Sequence, residues 1–119
     1  MFGGGKKNQF LEEQERVNKL AKSQASLILL SEKYEGRDVK YSYGSELVWS
    51  EGNNCAYLLQ ITYDQGRKAG NHFYLVPFRD GEYMGMQTIT YAMTEEEFAE
   101  IAKTRIEYVT ALEEVSGTR

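Results

Sequence analysis

The chain has one cysteine and one histidine, Cys55 and His72, and these are the residue types most readily turned to nucleophilic and general-base work near neutral pH. A thiol attacks as its thiolate, so Cys55 would need a neighbour that lowers its pKa. It opens an apolar run instead, a setting in which small thiols are commonly buried. His72 could act as a base. It follows Gly70 and Asn71, with Asp64 across a presumed hairpin and no Ser or Cys beside it. Both residues begin strand-like runs. If those runs pair as a hairpin, their starts lie at opposite ends, on the order of 20 Å apart at about 3.3 Å per residue. That geometry excludes a Cys55–His72 dyad. A single cysteine also excludes an intramolecular disulfide and a zinc site built on cysteines.

The remaining reactive-looking patterns have simpler readings. Glu95, Glu96 and Glu97 are consecutive, and consecutive helical residues point in different directions. Their carboxylates cannot converge on one ion. Thr94 and Glu97 have the spacing of a capping box, and acids in a first turn suit the helix dipole. Gly3, Gly4 and Gly5 neither follow a strand nor carry the pattern of a phosphate loop. The reading therefore leans away from an enzyme, with no metal and no cofactor expected.

Recognition is better represented than catalysis. Tyrosine is the compositional outlier, with nine residues in 119. Tyr41, Tyr43, Tyr57, Tyr63, Tyr74, Tyr83 and Tyr91 fall in strand-like runs. They suit either core packing with the hydroxyl at the rim or an interface. Met84, Met86, Thr88 and Thr90 alternate with Tyr83, Gln87, Ile89 and Tyr91, which predicts an adaptable Met/Thr face. The candidate binding residues are Trp49, Gln60, Thr62, His72, Tyr74, Met84, Met86, Thr88 and Thr90.

These residues must be positioned by elements with two different periods. Residues 8–34 read as a helix rich in Glu, Gln, Lys, Leu and Ala. Phe10, Val17, Ala21 and Ile28 lie on one stripe, with Leu20 and Leu27 at its edge. The end of this segment is apolar nearly all round, which predicts burial of Leu27–Leu30 on more than one side; a buried strand over 26–31 is the alternative. Gly36 is a helix stop. Val39, Tyr41 and Tyr43 then alternate as a strand, Gly44-Ser45 reads as a turn, and 46–50 as a second short strand. Glu51-Gly52-Asn53-Asn54 is a turn. Residues 55–63 form the clearest strand, with Tyr57, Leu59, Ile61 and Tyr63 facing one way and Ala56, Leu58, Gln60 and Thr62 the other. A polar loop over 64–71 leads to a strand over 72–79, where Pro77 hints at an edge or a last paired position. Asp80-Gly81 is a hairpin dipeptide. Residues 82–92 read as one strand, with Gly85 marking a bulge or a close backbone approach. A helix over 94–115 carries the stripe Phe98, Ile101, Ala102, Ile106, Val109 and Leu112.

Hairpin-joined strands between two helices predict an α+β fold: a four- to five-stranded antiparallel sheet flanked by an N-terminal and a C-terminal helix packed on one face. Residues 1–7 read as a flexible start, 8–115 as a single domain and 116–119 as a frayed tail. The longest aliphatic run, Leu27-Ile28-Leu29-Leu30, is far too short for a membrane span, and no secretion signal is visible, so a cytoplasmic location is expected. The net charge of −4 resides in residues 94–119, which hold seven acidic groups against three basic ones. That distribution argues against a polyanion binder, because phosphate affinity needs clustered Lys and Arg.

The expected function is that of a small acidic, non-enzymatic interaction domain that binds another protein or its own copy. Inhibitors, immunity factors and accessory proteins of mobile elements offer an analogy of size and charge. A small-molecule or enzymatic pocket between sheet and helices is the second reading. A weak nucleic-acid binder using Lys19, Lys22, Arg67 and Lys68 is the third.

Overall fold

The computed structural model describes residues 4–31, 40–64 and 69–117. Its elements are α1 (Gly4–Ser31), β1 (Lys40–Glu51), β2 (Asn54–Asp64), β3 (Ala69–Arg79), β4 (Glu82–Tyr83), β5 (Gln87–Ile89) and α2 (Glu95–Ser116). The fold is α+β, with one antiparallel five-stranded sheet in the order β1-β2-β3-β4 and β5 also on β3.

The two helices lie on opposite faces of this sheet, not on one face as the sequence suggested. The alternation of β2 shows why. Cys55, Tyr57, Leu59 and Ile61 pack with Val17, Ala21 and Ala25 of α1. Ala56 and Leu58, pointing the other way, pack with Phe98 and Ala102 of α2. The same split runs through β3, where Tyr74, Val76 and Phe78 face α1 while Phe73 and Leu75 face α2. A central pair of strands that is apolar on both sides needs a cover on both sides.

α1 begins at Gly4, ahead of the expected start near Asn8, and is helical to Ser31. That rules out the strand alternative over 26–31. Its buried row is Glu13, Val17, Ala21 and Ala25, one residue every four. Phe10 and Leu27 are about half exposed, at 46% and 56%, so the stripe lies to one side of the expected one and Leu27 is not buried. Gly36 and Val39 lie outside the described residues.

β1 is a single strand rather than two. Its pairing with β2 runs straight through the expected turn, with Gly44 opposite Gln60 and Ser45 opposite Leu59; the irregularity is a bulge between Leu47 and Trp49. The run over 82–92 divides instead. β4 pairs with Phe78 and Arg79, β5 pairs with residues 73–75, and Met84–Met86 lies between them. Gly85 (φ +98) makes this break. Pro77 fits it: its carbonyl accepts from the Met84 amide at 2.9 Å. A strand residue's amide and carbonyl point to the same side, so the hydrogen Pro77 lacks would have faced the same break. Asp80 and Gly81 take left-handed angles (φ 52 and 82), as a tight hairpin between twisted strands requires.

α2 starts in the expected capping box: the Glu97 amide donates to Thr94 Oγ1 at 3.2 Å, and the Thr94 amide donates to Glu97 Oε1 at 3.1 Å. It ends at Gly117 (φ 69), whose amide donates to the Glu113 carbonyl. Arg79 ties its last turns to the sheet, donating to Thr110 and Glu113 at 2.7 Å and to Glu82 at 3.0 Å. Lys103 pairs with Glu51 at 3.1 Å. α2 therefore covers the end of the sheet that holds Glu51 and Arg79 and leaves the other end of that face open.

Candidate functional site

The open end of the α2 face carries a groove of about 750 Å³. Three pieces of chain build it. Leu58 of β2 and Phe73 of β3 form its floor, with Ile89 of β5 beside them. After β5 the chain leaves the sheet, and Thr90, Tyr91, Ala92 and Met93 make one wall on the way to the Thr94 cap. Phe98, in the first turns of α2, closes the end, and Glu46 of β1 stands opposite Leu58. The lining is mostly apolar with a few polar groups, the pattern of a ligand site. Glu46 is exposed, and no cation lies within salt-bridge distance of it among the described residues.

At one margin of the groove, where Asn71 lines it, the same face turns polar. Asn71 Oδ1 accepts from Thr62 Oγ1 at 2.8 Å and from Gln60 Nε2 at 3.1 Å. Thr62 and Gln60 occupy the α2 side of β2, where the helix does not reach, and Asn71 lies opposite Thr62 on β3. This exposed trio forms a hydrogen-bonding shelf next to the apolar floor.

The candidate residues from sequence do not gather in one place. Gln60 and Thr62 come together on the shelf. Thr88, Thr90 and His72 border the groove, although the His72 ring stacks on Tyr63 with centroids 5.3 Å apart. Trp49 shares the α2 face but packs against the core under the helix. Tyr74 is only 5% exposed and its hydroxyl accepts from Gln24 at 3.2 Å. Met84 is buried and Met86 packs against the α1-side core. Tyr74 and Met84 are core residues and Met86 is half-buried against that core, so the Met/Thr face does not form; the break at Gly85 turns its two ends differently. Arg67 and Lys68 lie outside the described residues. Glu46, Leu58, Phe73, Met93 and Phe98 escaped the sequence reading because the groove depends on where α2 stops covering the sheet.

Sequence reasoning also missed a buried carboxylate. Glu13 is 3% exposed. Its Oε1 accepts from the Tyr57 hydroxyl at 2.7 Å, and its Oε2 accepts from Gln9 Nε2 at 3.1 Å. The signal was its place in the row Glu13, Val17, Ala21, Ala25, four residues apart. Cys55 borders a small recess that Gln9, Glu13 and Tyr57 also line. Burial first, then the Glu13 charge, pushes the Cys55 thiol from 9.0 up to about 12, and burial, then the hydrogen bond to Glu13, raises the Tyr57 hydroxyl. This arrangement holds protons on and cannot furnish a thiolate near neutral pH. In β2 and β3, Cys55 is opposite Phe78 while His72 is opposite Ile61, so the two chemically reactive residues are separated along the hairpin. Among the described residues no three His, Cys, Asp or Glu side chains group as metal ligands would, and no helix is long and apolar enough to cross a membrane.

Comparison with protein-family models, with curated proteins and with solved structures finds no match to this chain.

Proposed function

We propose that this chain is a non-enzymatic binding domain that receives an apolar segment of a protein partner, or of a second copy, in the groove on the α2 face. The observation that carries this reading is the groove itself: about 750 Å³, floored by Leu58 and Phe73 and walled by Met93 and Phe98. Partly buried apolar side chains lining one trough are the setting for an apolar anchor of a partner. The Gln60–Thr62–Asn71 shelf offers hydrogen-bonding groups at one margin, and Glu46 favours a segment that also carries Lys or Arg. The burial of Cys55, which pushes its thiol up, supports the non-enzymatic half of the reading.

A second reading, a small-molecule site, has one observation in its favour. The volume falls within the roughly 300–1,000 Å³ typical of such sites, and the lining is mainly apolar. Photo-cross-linking separates the two. A benzophenone amino acid replaces Thr90 at the groove wall in one variant and Lys22 on exposed α1 in another. The protein reading expects a discrete cross-linked product from the Thr90 position alone, whose mass identifies the partner or a dimer. Equal labelling from both positions, or none from Thr90, counts against it.

A further inference from the structure

Between β5 and α2 a second recess, of about 290 Å³, is lined by Gln87, Ile101, Thr104, Arg105 and Tyr108. Its unusual member is Arg105. The guanidinium Nη2 reaches the Met86 carbonyl only at 3.5 Å, and Nε is buried with no hydrogen-bond partner. Among the described residues no carboxylate lies within 4.0 Å of it, whereas Arg79 holds Glu82 and Glu113 and Lys103 holds Glu51. The guanidinium is pressed against the backbone at the break between β4 and β5, where a Cβ on Gly85 would come within 3.1 Å of Nε. A partly buried cation without a counter-charge is costly, and an anion brought to it would offset that cost. Beside it stand an amide and two hydroxyl-bearing side chains, Gln87, Thr104 and Tyr108. A planar guanidinium with such neighbours is the donor set that recognises carboxylate or phosphate oxygens.

We infer that this recess is an oxyanion-binding site, taking the carboxylate or phosphate group of a small ligand or of a partner's side chain, with Arg105 as its cation. The site is independent of the groove and of the reading given to it. Arg105 is the one cation among the residues lining the recess, so the recess suits a single anionic group rather than a polyanion.

NMR titration of the full chain with sodium acetate and with sodium phosphate, each against sodium chloride at matched ionic strength, tests the inference. Saturable shifts of the amides of residues 104–108 and of the Arg105 side-chain Nε–H are expected. Saturation by acetate alone assigns a carboxylate source, by phosphate alone a phosphate source, and by both the shared oxyanion chemistry. Arg105→Lys keeps the charge but loses the fork and should weaken binding about tenfold. Arg105→Leu should abolish it. Thr104→Val, at an exposed position, leaves the guanidinium in place and should weaken binding by about threefold, the loss of one hydrogen bond. Shifts that grow linearly as with chloride, or that survive Arg105→Leu, overturn the inference.

Discussion

At the scale of single residues, the most consequential group is the buried carboxylate of Glu13. An acid in an apolar layer is tolerated only when its oxygens are satisfied, and Tyr57 and Gln9 do this at 2.7 and 3.1 Å. Its charge, added to burial, keeps Cys55 a thiol. The linkage has a definite sign. Because the folded-state pKa of Cys55 is raised from 9.0 to about 12, the folded protein retains a proton that the unfolded chain releases. The stabilisation is complete below pH 9 and is lost as pH rises from 9 towards 12, at about 1.4 kcal/mol per pH unit for one group. Tyr57, raised by burial and by its hydrogen bond to Glu13, steepens the loss. Denaturant unfolding between pH 8 and pH 10.5 should therefore show a falling stability in the wild type and a shallower fall in Cys55→Ala. Identical slopes would show that the thiol is not held protonated by this site.

At the scale of elements, some structure was legible and some was not, for reasons that can be named. The capping box at Thr94 and the Asp80-Gly81 hairpin are local: a few residues fix their geometry, so the pattern carries the answer. The break at Gly85 was also foreshadowed, because only a glycine sits comfortably at φ +98. The helices' placement was less accessible, although one clue existed. Phe73 to Phe78 is an unbroken apolar run, as expected of a strand covered on both faces; reading both helices onto one face overlooked it. Gly44 misled in the other direction. A Gly-Ser pair between two alternating runs resembles a turn, yet pairing with β2 carries the strand straight through it. Nothing lies within 4 Å of a Cβ built on Gly44, and its φ is not positive. Gly44→Thr should accordingly stabilise the fold by roughly 0.5–1 kcal/mol, the usual cost of glycine within a strand. Thermal unfolding checks this, and destabilisation would favour the turn. The groove was the least legible part, because it arises where α2 crosses one end of the sheet and the chain over 90–93 swings away from the other.

At the scale of the whole molecule, one sheet presents two differently finished faces. On one side α1 packs Val17, Ala21 and Ala25 against the odd-numbered residues of β2, and Gln24 reaches Tyr74. On the other, α2 is fastened near Glu51 and Arg79 and leaves Leu58 and Phe73 as the floor of an open trough. The chain's acidity is concentrated in α2, whose first turn carries Glu95, Glu96 and Glu97, and Glu46 lines the trough. In the proposed function these charges favour a partner with complementary positive charge, whose association is faster at low salt.

The most direct test is the affinity of the partner identified from the Thr90 position, measured for two variants. Met93→Asp places a charge in the wall of the trough at a half-buried residue; Leu27→Asp places one on exposed α1. Met93→Asp should lose at least about tenfold in affinity, or about 1.4 kcal/mol, and Leu27→Asp should change it less than about twofold. Unchanged affinity in Met93→Asp, with the loss falling on Leu27→Asp instead, would contradict recognition in the trough and move the recognition surface to the opposite face of the sheet.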